Sequence, residues 1–147
     1  MQAQAQSMVQ VACPQCLKPN RVPESRLGEG PKCGKCGMPL LDGTPAVLGE
    51  DSFDAFIART ALPVLVDFWA PWCGPCRAMA PAFEKAAAES RASVRYAKLN
   101  TEEAPQVAAR LGIRAIPTLV LFREGREVAR QPGAMDAGAL KRWVAQH

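Results

Sequence analysis

Histidine is nearly missing from this sequence of 147 residues: the single one, His147, is the last residue and is not expected to act as a metal ligand or general base. No apolar run approaches the roughly 20 residues that a helical membrane span needs. The opening stretch, Met1-Gln2-Ala3-Gln4-Ala5-Gln6-Ser7, lacks both the basic and the apolar part of a leader. The chain is therefore expected to be cytoplasmic, with no membrane partner. Aromatic residues are absent from residues 1–45, so the cations there have no platform on which bases could stack. A strong excess of one charge is lacking too: the net +4 divides into five Lys/Arg against three Asp/Glu over residues 1–45, and thirteen against eleven over the remainder. No nucleic-acid partner is expected from so small a surplus.

Six cysteines are present, in a composition (48% apolar, 22% charged) that suits one globular core plus a small accessory unit. Reducing conditions disfavour three structural disulfides, which leaves metal binding or redox catalysis. Cys13-Pro14-Gln15-Cys16 and Cys33-Gly34-Lys35-Cys36 are two C-x-x-C pairs separated by sixteen residues, inside the window for a four-thiolate structural zinc site. Gly34 and Gly37 are expected to supply the positive φ values such turns need. Residues 17–31 are rich in Pro, Gly and charge and offer almost no core, so one zinc ion is expected to hold the unit together. Lys18, Arg21, Arg26, Lys32 and Lys35 would offset the doubly negative metal cluster. Two other readings stay open: a pair of redox disulfides, and a metal site that opens under oxidants.

The third pair behaves differently. Trp72-Cys73-Gly74-Pro75-Cys76 follows the apolar run Val64–Trp69 and precedes the helix-compatible residues 79–89. A helix starting near Cys73 aims free N–H groups and the positive end of its dipole at the first sulfur, which favours the thiolate. Cys73 is thus the expected nucleophile, with Cys76 placed to close a disulfide onto it, and Pro75 stands where a missing N–H costs nothing. Asp67 interrupts the apolar strand. A carboxyl there is disfavoured as an anion, so it is either paired or functional, and it is placed to exchange a proton with the second cysteine.

Residues 42–45 read as a linker, preceded by a flexible N-terminus (1–10) and the zinc unit (11–41) and followed by the larger domain (46–147). In that domain, residues 46–48 read as a brief strand and residues 53–57 as an amphipathic helix. Residues 94–100 read as a strand and 104–111 as a short helix, a β-α-β-α order that implies parallel strands with the cysteine turn at their carboxyl ends. Pro81 interrupts the helix after the motif. Residues 118–122 and 127–129 flank a hairpin turn, and 137–146 form a closing helix. Pro117, opening the hairpin, is unusual unless its peptide bond is cis.

Residues 46–147 resemble the thioredoxin family throughout. Trp72-Cys73-Gly74-Pro75-Cys76, Asp67-Phe68-Trp69-Ala70, Ile116-Pro117-Thr118, Pro81 and Gly133-Ala134 match its motifs in order. Residues 11–41 resemble a rubredoxin-like zinc ribbon, and the whole chain looks like the bacterial thioredoxin 2 type. The resemblance implies an α/β thioredoxin fold, a central mixed sheet flanked by helices, behind the ribbon. It also implies a cis bond at Pro117 and a protein-disulfide reductase that acts on disulfide-containing proteins. Recharging would come from NADPH through a flavin-containing thioredoxin reductase, with no organic cofactor bound to this chain, which is expected to be a monomer. The substrate rim would comprise Trp72, Gly74, Pro75, Ile116, Pro117 and Gly133, and Trp69 would pack beneath the motif. Lys98 would either pair with Asp67 and moderate its pKa or be a solvated strand lysine. The rival reading is a zinc-dependent redox or stress sensor that uses the fold as a docking surface; intact Cys73, Cys76 and Asp67 speak against it.

Overall fold

A computed structural model of the chain describes residues 7–147. Its main sheet has the order β3-β5-β4-β6-β7, with β3 (Ala46–Leu48), β5 (Arg95–Asn100) and β4 (Val64–Trp69) parallel, and β6 (Thr118–Arg123) and β7 (Arg126–Pro132) antiparallel. β4 is central because its side chains are apolar on both faces, as a strand covered on two sides requires. Val64, Val66 and Phe68 point to one face, against Phe53, Phe56 and Ile57 of α1 (Phe53–Ala58) and Val107 of α3 (Pro105–Arg110). Leu65 points to the other, against Met79 and Phe83 of α2 (Gly74–Glu89) and Leu140 of α4 (Ala137–Gln146). The expected thioredoxin architecture is present, and α2 runs unbroken through Pro81.

A second, two-stranded sheet pairs β1 (Met8–Ala12) with β2 (Pro19–Pro23). The flexible N-terminus expected over residues 1–10 therefore needs correction for its last part: Met8, Val9 and Gln10 are strand residues paired with Pro23, Val22 and Arg21. Residues 1–6 of that expectation lie outside the described residues. The first unit also has more core than its composition suggested. Val11, Val22, Leu27, Leu40 and Leu41 form one buried cluster with Cys13 and Cys33, and Leu62, from the segment leading into β4, completes it. So small a unit cannot surround its own apolar residues, and it shares the neighbour's instead.

Hydrogen bonds fasten the same junction. The Ala61 N–H donates to the Gln10 carbonyl at 2.7 Å, and an Arg59 guanidinium N–H donates to the Leu17 carbonyl at 2.9 Å. The buried Ala12 N–H donates to the Thr60 hydroxyl at 3.3 Å. Arg95, 4% exposed, donates to the carbonyl of Thr44 in the connecting segment at 2.8 Å. These contacts lie at the amino ends of β4 and β5, whereas Cys73 follows the carboxyl end of β4. The five steps along β4 separate the two ends by roughly 17 Å at 3.3 Å per residue. Thr60→Val keeps the side-chain shape but removes the acceptor, leaving the Ala12 N–H buried and unpaired. Denaturant unfolding is expected to show a loss of about 1–3 kcal/mol.

Candidate functional site

Sequence around Cys73 dictates a strand, a tight turn and a helix in succession. Cys73 is the extended residue that caps α2, with φ −84° and ψ 113°, and its sulfur accepts the backbone N–H of Cys76 at 3.2 Å. Pro75 occupies the first turn, where no intrahelical partner is lost. Cys73 and Cys76 are joined as a disulfide across a Cα–Cα distance of 5.3 Å. Both are buried, Cys73 slightly less than Cys76, while Trp72 beside them stands 67% exposed. The helix N-terminus therefore faces the sulfur that has the closer approach to solvent.

The hairpin supplies the opposite wall. The Ile116-Pro117 bond is cis, and the Ile116 carbonyl oxygen lies 3.7 Å from the Cys73 sulfur. Gly133 adopts φ 98°, a conformation that side-chain-bearing residues rarely take, and its N–H donates to the Pro117 carbonyl at 2.8 Å. Gly74, Pro75 and Gly133 are exposed, Ile116 is half-buried and Pro117 is buried. All six expected rim residues thus lie around the sulfur pair, with Pro117 forming floor more than rim. The N–H of Gly133 is already used within the fold and is not free for a bound chain. A concavity of about 480 Å³, lined by Pro63, Arg123 and Val128, lies at the far end of β4 and has no part in the thiol chemistry.

Asp67 sits in β4 at 1% exposure, and its Oδ1 has no hydrogen-bond partner among the described residues. Burial pushes its carboxyl up to about 7, and the charge of Lys98 works against that rise. Lys98 is the register partner of Asp67 on β5, so both side chains leave the same face of the sheet. Of the two readings left open for Lys98, the direct ion pair with Asp67 is not among those of the described residues. The Lys98 ammonium lies over the Trp69 ring, 4.7 Å from its centroid, and the described ion pairs do not include it. Trp69 is two residues beyond Asp67 on that same face and offers a large electron-rich surface at lower desolvation cost than the buried carboxylate. Lys98 thus acts on Asp67 through space. Trp69 also packs against Ala70, Cys73 and Cys76, as expected. Lys98→Met removes the favourable charge, and the Asp67 carboxyl, followed by NMR titration, is expected to titrate above its present value of about 7.

The other four sulfurs gather separately. Cys13, Cys16, Cys33 and Cys36 all lie within 4.8 Å of one another, with 3.5 Å between Cys13 and Cys36 and 3.7 Å between Cys16 and Cys33. Four thiolates at about 2.3 Å from a tetrahedral metal would sit roughly 3.8 Å apart, so the donor set fits a zinc-type ion with no position left for water. Each knuckle folds back on its first cysteine: the Leu17 N–H donates to the Cys13 carbonyl and the Gly37 N–H to the Cys33 carbonyl, both at 2.9 Å. The positive φ values fall on Leu17 (67°) and Gly37 (79°); Gly34, expected to share that task, does not. The position four residues after the first cysteine carries the bend, and in the first knuckle a leucine pays its strain while packing onto the main core.

Sulfur lone pairs in the cluster are held by backbone donors. The N–H groups of Gln15 and Cys16 reach the Cys13 sulfur at 3.3 and 3.4 Å, and that of Lys35 reaches the Cys33 sulfur at 3.4 Å. The backbone N–H of Cys36 foremost, against opposing burial, and then Lys35 and Asn20 bring the Cys33 thiol down to about 6. Asn20 had no sequence signal: its amide donates to the Cys33 sulfur at 3.6 Å while its oxygen accepts the Gly34 N–H at 2.9 Å. Nothing in its spacing from the cysteines distinguishes it from a loop asparagine.

Comparison with known proteins adds to this geometry. The family model described as Thioredoxin matches residues 44–146, and that described as Thioredoxin 2, N-terminal, matches residues 12–38. Thioredoxin C-3 of Corynebacterium nephridii is 44% identical over 136 residues, covering 92% of this chain and 93% of that protein. Thioredoxin 1 of a Nostoc species is 41% identical over 102 residues, 69% of this chain and 95% of the relative. A helix-capping cysteine pair beside a cis-proline, in a chain that the first of these relatives matches over nearly its whole length, leaves one conclusion: the chain belongs to the thioredoxin family of thiol–disulfide oxidoreductases and carries a zinc-ribbon unit in front.

Proposed function

We propose that the chain is a protein-disulfide reductase whose electrons come from thioredoxin reductase and, through it, NADPH. The observation that carries this reading is the Cys76 N–H held 3.2 Å from the Cys73 sulfur at the start of α2, a donor that stabilises the thiolate once the pair is reduced. The Cys73 thiolate attacks one sulfur of a substrate disulfide, forming a mixed disulfide and expelling the other sulfur as a thiolate, which takes a proton from solvent. Cys76 then loses its proton and attacks Cys73, so that the second substrate sulfur leaves and Cys73–Cys76 closes. Two electrons pass from the dithiol to the substrate. Asp67, with its carboxyl near 7, is the group proposed to take the proton of Cys76, directly or through a water.

Trp72, Gly74, Pro75, Ile116, Pro117 and Gly133 are the proposed platform for an extended segment of the substrate protein. The exposure of Trp72, Gly74, Pro75 and Gly133 around the sulfur pair suits a macromolecular substrate better than a small enclosed one. Among the described residues no helix is long and apolar enough to cross a membrane. The reductase is proposed to work as a monomer in the reducing cytoplasm, where thiols are kept reduced. The test is insulin reduction with dithiothreitol as the electron source, followed by NADPH oxidation with added thioredoxin reductase. No acceleration over dithiothreitol alone would end this reading.

The zinc ion proposed for Cys13, Cys16, Cys33 and Cys36 supplies a cross-link and no open coordination position. Elemental analysis is expected to find one zinc per chain, lost from Cys13→Ser/Cys33→Ser and kept in Cys73→Ser/Cys76→Ser. Hydrogen exchange on the metal-free variant should show the amides of β1 and β2 losing protection while those of β4 and α2 keep theirs. Equal zinc in all variants would contradict the assignment.

A further inference from the structure

The five cations of the ribbon were expected to offset its metal cluster, and three of them line one groove. Strand alternation puts Arg21 on the face of β2 opposite Asn20, whose amide reaches the Cys33 sulfur. Arg21, Arg26 and Lys32, from β2, the turn after it and the segment before the second knuckle, line a groove of about 310 Å³ with the half-buried Pro23 and Pro31 at its floor. Glu29 is the sole acid lining it. The ion pairs among the described residues are Arg110–Asp54, Arg130–Glu127 and Lys141–Glu89, so none takes up a groove cation. None of the three donates a side-chain hydrogen bond among the described residues either, and residues 1–6 contain no Asp or Glu that could reach them. Three unpaired like charges held around one apolar floor repel one another, and an anionic partner relieves that repulsion.

We propose that this groove is a docking site for an extended acidic segment of a partner protein, with carboxylates against Arg21, Arg26 and Lys32 and an apolar side chain on the floor of Pro23 and Pro31. Arginine forks pair carboxylates in a bidentate manner, and the apolar floor has no use for a free inorganic anion. Nucleic acid fits less well, because residues 1–45 have no aromatic side chain on which a base could stack. The ribbon is fastened at the amino end of β4, away from Cys73, so docking there leaves the redox turn open.

The test is fluorescence anisotropy on the zinc-loaded full chain at low salt. Its probe is a fluorescein-labelled decapeptide of Asp and Glu with a central Leu-Val. Saturable binding is expected, weakened at least about tenfold by R21E/R26E/K32E and unchanged by K85E/R114E/R142E, a reversal of equal size away from the ribbon. If the groove variant loses zinc, the neutral set R21Q/R26Q/K32Q takes its place, with the same direction expected. No binding by the parent chain, equal weakening by both reversals, or tighter binding of a ten-nucleotide oligothymidylate than of the peptide would overturn the proposal. Because binding is read without turnover, its failure is distinct from failure of the reductase reading.

Discussion

Cys73→Ser is expected to reduce insulin disulfides no faster than dithiothreitol alone, a loss of at least about a thousandfold relative to the parent chain. The reason is chemical before it is structural. A serine hydroxyl is scarcely ionised at neutral pH, and the N–H of Cys76 that steadies a thiolate cannot create an alkoxide. Cys76→Ser should fail differently. Its Cys73 still attacks, but nothing resolves the mixed disulfide, so the variant is expected to accumulate covalently bound to substrate, as a band on non-reducing gels that disappears on reduction. Cys73→Ser should form no such band. Trapping by Cys73→Ser and not by Cys76→Ser would reverse the proposed roles of the two sulfurs.

Asp67→Asn is expected to stabilise the folded chain by several kcal/mol at pH 8 and by almost nothing at pH 4. Burial raises the folded-state carboxyl from 3.8 to about 7, so the folded chain holds this proton over a range in which the unfolded chain has already released it. Between about pH 4 and pH 7 the unfolded state binds fewer protons at this site, and its contribution to stability falls as pH rises. Above about pH 7 the full penalty of a buried carboxylate applies. A shift near 3 units corresponds to at most about 4 kcal/mol. Asparagine has the same shape without the charge, and denaturant unfolding of the oxidised chain at the two pH values reads the difference. The same substitution removes the proposed proton acceptor, so release of substrate from the mixed disulfide should slow near neutral pH. A gain in stability that does not depend on pH would mean that the carboxyl is not held protonated by its surroundings.

Much of the fold was legible because its determinants are local. β4 is an unbroken apolar run, α2 opens on a helix-capping cysteine with proline in its first turn, and the hairpin of β6 and β7 turns at Glu124-Gly125, both with positive φ. Composition was a poorer guide to the ribbon. Its apolar residues are scattered between turn formers and register as a core only when Leu62, more than twenty positions after Leu40, joins them. Leu17 was hidden for another reason: a left-handed leucine has no propensity signal, and only the equivalence of its position with Gly37 explains it.

The same division runs through the sites. All three pairs are C-x-x-C, and context pointed to four cysteines that gather for a metal and two that form a disulfide: the first two pairs stand sixteen residues apart among turn formers, and the third follows an apolar strand and opens a helix. The sequence likewise pointed to Asp67 as a perturbed acid, because it interrupts an apolar central strand, and its 1% exposure rules out the alternative of a strand-end carboxylate in water. Tertiary structure decided the rest. It turned Lys98 toward Trp69, seated the ribbon at the amino end of β4 away from Cys73, and collected Arg21, Arg26 and Lys32 around one groove. Each of those outcomes depends on which side chains from separate segments reach the same space and how well each arrangement is solvated there, a competition that no local pattern records.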